Sequence, residues 1–391
     1  MLSIQDIDIK GKRVVVREDF NVPMQDGKIT DDTRLKAGIP TLEQIVAGNG
    51  AAIVLSHFGR PNEGEYEDQY SLQPIAGALS QLMGRPVRFE SEWLDGFEIE
   101  SGEIVLCENV RFQRGEKAND DSLAKKMAAL GNVFVNDAFA TAHRAQASTH
   151  GIAKFAETAI AGPLLKAEID ALSKGLSNPE RPLVAIVGGS KVSTKLDVLE
   201  TLSQKVDQLI VGGGIANTFL LADGKSVGNS LCEPDMVDIA KRLIDASAAS
   251  GAEIPIAKDV VCGKTFDAAT PAETKTADAI LNDDMVMDLG PESLAEIETI
   301  LSNAGTIVWN GPLGVFEFGQ FSNGTQRLAR AIADSPAFSI AGGGDTLAAI
   351  SKFNVGEKIS YISTGGGAFL EFLEGKKLPA VEILESRAAQ S

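Results

Sequence analysis

Arginine and histidine side chains gather directly after short apolar runs in the first half of the sequence. All three histidines and nine of the fourteen arginines precede residue 170, although the chain carries a net charge of −18. The planar guanidinium group pairs with phosphate or carboxylate through two parallel hydrogen bonds. The clustering therefore indicates a cationic basin for a small, multiply charged anion. The side chains beside the run ends are Arg34, His57, Arg60, Arg111, His143 and Arg144.

Each of these groups, taken alone, also fits a structural role. Single arginines usually form surface ion pairs, and a lone histidine is more often structural than catalytic. Position favours anion binding for four arginines taken together, because each lies beside a predicted strand end or a Gly/Pro turn. They are Arg34, Arg60, Arg111 and Arg144. His57 lies in the segment Ser-His-Phe-Gly-Arg-Pro at 56–61, which favours binding for it too.

Glycine stands after the apolar runs of the second half. Four runs end in glycine at 188–189, 212–214, 342–344 and 365–367, and a helical pattern follows each of them. Glycine allows the backbone to approach a phosphate closely, and a helix N-terminus offers free N–H groups and the positive end of a dipole. Four such junctions predict a platform for a nucleotide.

The two commonest nucleotide-binding motifs are absent from these glycine segments. The Gly-Lys-Thr at 263–265 and the Gly-Lys-Ser at 224–226 lack the upstream glycine of a P-loop. None of the triple-glycine runs continues as Gly-x-Gly-x-x-Gly. A P-loop kinase and a Rossmann dehydrogenase are therefore both disfavoured.

Charged residues near the glycine segments suit a phosphate chain. Lys191 and Lys195 are four residues apart where a helix should begin, so both could face the same phosphates. Asp345 and Glu317 could touch a nucleotide or its Mg²⁺, which needs only one or two protein oxygens when it binds phosphates. Asp345 also suits the N-cap of a helix, and the two roles are compatible.

Short runs rich in valine and isoleucine must position these residues. They show no apolar–polar alternation, and longer stretches with helical spacing separate most of them, such as 122–130 and 235–246. Such runs are typical of strands buried on both faces in parallel sheets covered by helices, so we predict an α/β fold. The Thr- and Asp-rich middle of 259–288 fits either a hairpin or an irregular loop. The predicted strands are 14–16, 51–55, 104–106, 133–135, 183–187, 208–211, 306–309, 338–341 and 358–363.

A boundary lies near the middle of the chain. Pro179 and Pro182 stop a helix-like run that begins at Pro163, and a new strand follows at once. We predict two doubly wound, parallel-sheet (Rossmann-like) domains joined by a helical hinge. The boundaries are 1–162 for the anion-binding domain, 163–182 for the helix and hinge, 183–372 for the nucleotide-binding domain and 373–391 for the tail.

Composition excludes several function classes. An acidic surface disfavours nucleic acid and anionic membrane as partners, because both require dense Lys and Arg. The three cysteines lie far apart without a Cys-x-x-Cys pair, which fits a reducing cytosol. The first ten residues lack the features of a signal peptide, and no apolar run approaches the roughly 18 residues of a membrane helix. We expect a cytoplasmic protein.

The first half of the sequence is rich in arginine, and the second half has glycine segments suited to bind phosphates. This combination suits phosphoryl transfer, in which positioning and charge neutralisation supply most of the catalysis. Closure of the domains would exclude water and prevent hydrolysis. A two-domain dehydrogenase would show a dinucleotide motif, and a two-domain solute-binding protein would show an export signal. A nucleotide-binding protein without kinase turnover is the alternative.

Nine motifs resemble those of the phosphoglycerate kinase family, and they occur in the family's order over nearly the whole chain. Each motif alone is weakly specific, whereas the ordered set is highly specific. They are Asp-Phe-Asn-Val-Pro at 19–23, Asp-Thr-Arg at 32–34, Ser-His-Phe-Gly-Arg-Pro at 56–61, Glu-Asn-Val-Arg-Phe at 108–112, Ala-His-Arg-Ala at 142–145, Gly-Gly-Ser-Lys-Val at 188–192, Trp-Asn-Gly-Pro at 309–312, Gly-Gly-Gly-Asp-Thr at 342–346 and Ser-Thr-Gly-Gly-Gly-Ala at 363–368.

The resemblance implies the reversible, Mg²⁺-dependent reaction of 1,3-bisphosphoglycerate with ADP to give 3-phosphoglycerate and ATP, a step of glycolysis. It also implies a monomer with hinge-bending domains and a tail that crosses back to the N-terminal domain. The implied phosphoglycerate ligands are Asp19, Asn21, Arg34, His57, Arg60, Arg111 and Arg144. The implied adenosine contacts are Gly212, Gly213, Leu231, Asn310 and Glu317. The implied phosphate ligands are Lys195, Gly343, Gly344, Asp345 and Thr346, with Asp345 also on Mg²⁺. The implied catalytic groups are Arg34, Lys191 and the backbone N–H groups of Gly366 and Gly367.

This reaction needs no general base. In the direction that consumes ATP the acceptor is a carboxylate, which is already ionised at neutral pH. A loose, metaphosphate-like transition state requires several hydrogen-bond donors around three oxygens. Lys191, Arg34 and a glycine-rich helix start would supply them.

Overall fold

The apolar runs form strands that are buried on both faces, as their lack of alternation predicts. Val14, Val15 and Val16, for example, are almost completely buried in the first long strand. The computed structural model describes residues 1–389. Its contacts divide the chain into a first unit, which comprises Met1–Asp170 and the residues from Lys377 onward, and a second unit, Ala171–Lys376.

A six-stranded parallel sheet forms the centre of the first unit. The strands of this unit are β1 Arg13–Arg17, β2 Met24–Gln25, β3 Lys28–Ile29, β4 Ala51–Leu55, β5 Arg88–Glu90, β6 Ile104–Cys107, β7 Val133–Asn136 and β8 Thr158–Ala161. The sheet has the order β5-β6-β4-β1-β7-β8, and β2 and β3 form a separate antiparallel hairpin. The helices are α1 Thr33–Ala47, α2 Gln73–Met83, α3 Asp121–Ala128, α4 Ile152–Phe155 and α5 Pro163–Leu176, of which α5 runs into the second unit.

The register of the central strands brings three sequence motifs to one edge. Arg17, the last residue of β1, pairs with Leu55 of β4 and with Asn136 of β7. Because the strands are parallel, the segments that follow each of them leave the sheet on the same side. The loop after β1, the segment 56–61 and Asp137 are therefore neighbours.

A five-stranded parallel sheet and a three-stranded antiparallel sheet form the second unit. The strands are β9 Leu183–Gly189, β10 Gln208–Gly212, β11 Asp259–Gly263, β12 Glu273–Thr276, β13 Met285–Leu289, β14 Thr306–Asn310, β15 Phe338–Ala341 and β16 Tyr361–Ile362. The orders are β10-β9-β14-β15-β16 and β12-β11-β13. The helices are α6 Leu196–Ser203, α7 Gly213–Ala222, α8 Val237–Ser250, α9 Pro291–Ser302, α10 Asn323–Asp334, α11 Gly344–Phe353 and α12 Gly366–Leu373.

The last described helix, α13 (Pro379–Ala388), packs in the first unit against α4 and β8. Its Leu384 is fully buried, and the backbone N–H of Ala380 donates to the Ala142 carbonyl at 3.1 Å. The Arg387 guanidinium donates to the Ala156 carbonyl at 2.8 Å. The chain thus contributes both an early and a late segment to the same unit.

The structure confirms the α/β class with two large parallel sheets. It also shortens one predicted strand, resolves one ambiguous segment and adds two edge strands. The run 358–363 forms only the two-residue strand β16. The ambiguous segment 259–288 contains β11, β12 and β13, because its polar residues lie on edge strands of an antiparallel sheet. The edge strands β5 and β8 were not predicted. In the part of the chain that the structure describes, no helix is long and apolar enough to span a membrane.

Candidate functional site

The loop after β1 holds Arg34 in place. Arg34 lies in the first turn of α1, and its Nη1 donates to the Asn21 carbonyl at 2.6 Å. The same nitrogen is 3.3 Å from Oδ2 of Asp19. The Asn21 side chain accepts a hydrogen bond from the Gly59 N–H at 2.9 Å, so this loop also fixes the segment after β4.

His57 and Arg111 follow β4 and β6, the next two strands of the sheet on one side of β1. His57 follows β4 and is only 5% exposed, and its Nδ1 lies 3.2 Å from Nη2 of Arg17. Arg111 lies on a short 3₁₀ turn, Val110–Phe112, and donates to the Gly59 carbonyl. Its buried Nε has no hydrogen-bond partner among residues 1–389. A guanidinium with an unused donor is suited to receive an anion.

Like charges crowd this edge of the sheet. Burial, followed by repulsion from Arg17 and Arg144, lowers the pKa of Arg111 to about 10. Burial, followed by Arg17, Arg111, Arg144 and Arg34, holds the pKa of His57 well below its usual range. A bound anion would relieve this repulsion, so the chemistry of this edge suits an anion.

Arg60 and Arg144 are exposed beside this cluster. The Arg144 Nε donates to Nε2 of His143 at 3.1 Å, which orients the guanidinium. Arg60 follows Gly59. Gly59 has a positive φ of 60°, and a Cβ at residue 59 would clash with the Tyr70 ring, so only glycine fits there. The first unit thus brings together the residues that the family resemblance implies as phosphoglycerate ligands.

Lys195 is a half-buried cation of the second unit. Its Nζ donates to the Gly188 carbonyl and to Oδ1 of Asn310, each at 2.6 Å. Burial lowers the pKa of this ammonium group to about 8, and the Asp345 carboxylate partly offsets the effect. Asn310, at the end of β14, donates from Nδ2 to the Gly342 carbonyl at 2.8 Å, which connects the lysine to the glycine segment after β15.

Three helices begin directly at the glycine segments. Helices α7, α11 and α12 start at Gly213, Gly344 and Gly366, and each follows a strand of the parallel sheet. Their free N–H groups therefore face the same edge, where they favour phosphate. Gly343 has φ +98°, which favours glycine, and a Cβ at Gly212 would clash with the Pro312 carbonyl oxygen, so both positions require glycine.

An apolar cleft opens beside α7. Gly213, Leu231 and Leu313 line it, and so do Phe266 and Met285, which the sequence analysis missed. Leu231 is 53% exposed and Phe266 63% exposed, although both are large apolar side chains. The Phe266 ring also packs on Phe318 at 5.1 Å. An aromatic ring and a leucine at the mouth of a cleft suit a planar base.

Glu317 does not line this cleft. It is exposed and lies three residues after Gly314, which does line it. Thr346 is buried, and its hydroxyl accepts a hydrogen bond from the Gly311 N–H at 2.8 Å. Its hydroxyl therefore supports the loop after β14 in this structure.

Two expectations for the second unit are wrong. Lys191 and Lys195 do not share a helix face, because α6 begins only at Leu196; Lys191 is exposed, whereas Lys195 points back to Gly188. Asp345 is not the N-cap of α11, since Gly343 occupies that position and Asp345 lies exposed in the first turn.

The carboxylates fit a magnesium ion that is held mainly by phosphate oxygens. No group of three or more His, Cys, Asp or Glu side chains that could hold a metal occurs within residues 1–389. Asp345 offers one exposed carboxylate at the start of a helix, close enough to Lys195 to influence its charge. One protein oxygen suffices for Mg²⁺ on a nucleotide.

Comparisons with known proteins agree with this geometry. The family model described as phosphoglycerate kinase matches residues 4–376. The structure of phosphoglycerate kinase from Coxiella burnetii is similar over 100% of both chains, with 51% identity and a TM-score of 0.97. That of phosphoglycerate kinase from Pyrococcus horikoshii OT3 also covers 100% of both chains, with 32% identity and a TM-score of 0.82. This chain therefore belongs to the phosphoglycerate kinase family.

Proposed function

We propose that the protein transfers a phosphoryl group reversibly between 1,3-bisphosphoglycerate and ADP, giving 3-phosphoglycerate and ATP, with Mg²⁺. The observation that carries the proposal is the pairing of two complementary sites in one chain. The first unit gathers arginines at one sheet edge, and the second gathers glycine helix starts near a half-buried lysine, Lys195. An acid with several negative charges suits the former, and a nucleotide suits the latter.

The arginine cluster would bind phosphoglycerate. Arg111 has a free Nε donor, Arg34 is held by Asp19 and Asn21, and Arg60 and Arg144 are exposed beside them. Guanidinium groups pair with phosphate and with carboxylate through two hydrogen bonds each, so four arginines fix both ends of a phosphorylated acid. His57 would add a directed hydrogen bond.

The glycine edge would bind the nucleotide. The cleft beside α7, lined by Gly213 and Leu231, would take the base. Gly212, Asn310 and Glu317 are the other proposed adenosine contacts. Lys195 and the start of α11, from Gly343 to Thr346, would hold the phosphates. When Mg²⁺ is bound it neutralises the phosphate charge, and Asp345 would hold it.

Transfer would be direct and in line, on closure of the domains. Lys191 is exposed and carries no ion pair among the described residues, so its charge is available to the moving phosphoryl group. Arg34 and the N–H groups of Gly366 and Gly367 would donate to the same three oxygens. No base is required, because the acceptor carboxylate is already ionised.

The proposed organisation is a phosphoglycerate-binding domain at 1–162, a helix and hinge at 163–182, a nucleotide-binding domain at 183–372 and a returning tail at 373–391. We further propose a cytoplasmic monomer, with neither nucleic acid nor membrane as partner. The net charge of −18 supports the last point, since both surfaces require a dense positive patch.

The test is ADP formation from MgATP with and without 3-phosphoglycerate, under coupled removal of the acyl phosphate. We expect ADP formation that depends on the acid and on Mg²⁺. If ATP binds but the acid changes nothing, the chain is a nucleotide-binding protein without kinase turnover. Lys191→Ala is the turnover-deficient comparison, because it removes the exposed charge proposed to act on the phosphoryl group and leaves the contacts of Lys195 unchanged. We expect this variant to bind ATP but to lose ADP formation that depends on the acid.

A further inference from the structure

Glu116 is a buried carboxylate to which the proposed reaction gives no role. It is fully buried in the segment between the Val110–Phe112 turn and α3. Its two oxygens accept hydrogen bonds from the backbone N–H and the hydroxyl of Ser148, at 2.9 and 2.5 Å. An isolated charge at this depth is costly, so a carboxylate is retained here only with compensating partners.

Those partners lead to His57 through a single path of hydrogen bonds. The Ser148 hydroxyl accepts from Nε of Arg17 at 3.0 Å, and Nη2 of Arg17 lies 3.2 Å from Nδ1 of His57. Arg17 and Ser148 are both completely buried. Glu116 is also the largest favourable charge acting on Arg17.

The donor direction of every bond in this path is fixed by chemistry. A guanidinium group only donates, so Ser148 must accept from Arg17 and turn its own proton toward Glu116. Glu116 then receives two donors, which together with Arg17 oppose the rise in its pKa that burial causes. At the other end, Arg17 must donate to Nδ1 of His57, which leaves the imidazole proton on Nε2.

We propose that Glu116 and Ser148 are positioning residues that act through Arg17 to hold His57 as the neutral tautomer protonated on Nε2. The ligand named here, phosphoglycerate, rests on the proposed function. His57 then offers this anion one directed hydrogen bond and no charge, whereas the arginines supply the charge.

The surroundings of His57 support this assignment against the imidazolium form. The charged groups that face the ring are Arg17, Arg34, Arg111, Arg144 and Asp19. Four of these five are cations, which disfavour a fifth positive charge. Asp19 is the one group that could stabilise a protonated Nδ1, but its Oδ1 is 3.7 Å away, farther than the Arg17 donor.

The tautomer is directly observable in the free protein by long-range ¹H–¹⁵N correlation of the imidazole rings. The chain has only three histidines, and His57→Gln assigns the relevant signal. In the unmodified protein we expect the neutral Nε2–H pattern of His57 throughout about pH 5 to pH 8, where a free histidine would titrate. A His57 that titrates normally in this range overturns the proposal.

Ser148→Ala breaks the path while it keeps both charged ends. Arg17 loses the acceptor for Nε, so we expect its guanidinium to shift and a second tautomer of His57 to appear. Phosphoglycerate binding should weaken by about fivefold, which corresponds to one lost hydrogen bond. The matched control is Ser80→Ala in the same unit, whose hydroxyl bonds to the Ala76 carbonyl; it should change neither signal.

A His57 signal in Ser148→Ala identical to that of the unmodified protein overturns the positioning role. Glu116→Gln provides a second variant, because the two donors of Ser148 bond to different oxygens of Glu116 and an amide replaces one of these oxygens by an NH₂ donor. We expect this variant also to show a mixture of His57 tautomers. The NMR measurement uses no substrate. If the tautomer responds as expected but phosphoglycerate does not bind, the proposed function fails while the network remains.

Discussion

Lys195 should make nucleotide affinity depend on pH in a range that is easily reached. Burial lowers the pKa of its ammonium group to about 8 in the free protein. Phosphate oxygens within contact favour the charged form of lysine, so bound nucleotide must raise this pKa. Nucleotide therefore binds more tightly when Lys195 is protonated, and its affinity must fall as the pH rises through about 8.

The magnitude follows from the fraction of Lys195 that is protonated. Near pH 7 the group is almost fully charged, whereas near pH 9 only about one molecule in ten carries the charge. Binding at the higher pH must include uptake of a proton, which lowers the affinity for MgADP by about tenfold, or about 1.4 kcal/mol. The phosphates of ADP are fully ionised in this range and contribute little to the slope.

Isothermal titration of MgADP at about pH 7, 8 and 9 measures this dependence. Lys195→Arg is the control, because arginine stays charged at all three pH values and should give a flat profile. Lys195→Met should bind weakly and also give a flat profile. If the unmodified protein shows no slope, or if Lys195→Met keeps the same slope, the titrating group is not Lys195 and the reasoning fails.

Three further predictions concern single side chains. Lys191→Ala should lower turnover by orders of magnitude with little change in phosphoglycerate affinity, as steady-state kinetics and titration will show; unchanged turnover removes Lys191 from the transition state. Arg60→Ala should weaken phosphoglycerate binding and leave ATP binding intact, and the opposite result would reverse the assignment of the two units. Burial raises the pKa of Asp137 to about 6 in the folded protein, so the folded state holds this proton more tightly than the unfolded state. This contribution to the free energy of unfolding, about 3 kcal/mol, is complete below about pH 4 and is lost as the pH rises through 6. Urea unfolding can follow the first unit alone in a Trp309→Phe background, where Trp93 is the remaining tryptophan. In this background, Asp137→Asn should gain stability relative to the protein with Asp137 as the pH rises to neutral. Parallel pH profiles of the two proteins would contradict this.

The sequence predicted the central strands and most of the candidate site for one physical reason. Uninterrupted apolar runs form buried parallel strands, and parallel strands carry the residues that follow them to one edge. Arg34, His57 and Arg111 were therefore proposed from their neighbours in sequence, whereas Asn310 was implied only by the resemblance to the family. The edge strand β5 was not predicted, because its residues Arg88–Glu90 are partly exposed and polar.

Residues that act through long-range contacts gave no local signal. Glu116 lies in an irregular segment, 32 residues from its partner Ser148, and Ser148 lies 131 residues from Arg17. Phe266 belongs to a loop after β11, and only the tertiary fold brings it to the cleft beside α7. The last residue of β1, Arg17, did carry a signal, because a charged residue that ends a buried strand must meet a partner.

The position of α13 has a consequence for synthesis on the ribosome. The second unit is continuous in sequence from Ala171 to Lys376, whereas the first unit also requires the residues from Lys377 onward. All residues of the second unit are therefore translated before α13 exists. Domains generally fold as units as they emerge, so the second unit has everything it needs first. The first unit is translated earlier, but the surfaces of β8 and α4 that contact α13 stay exposed until α13 has been synthesised.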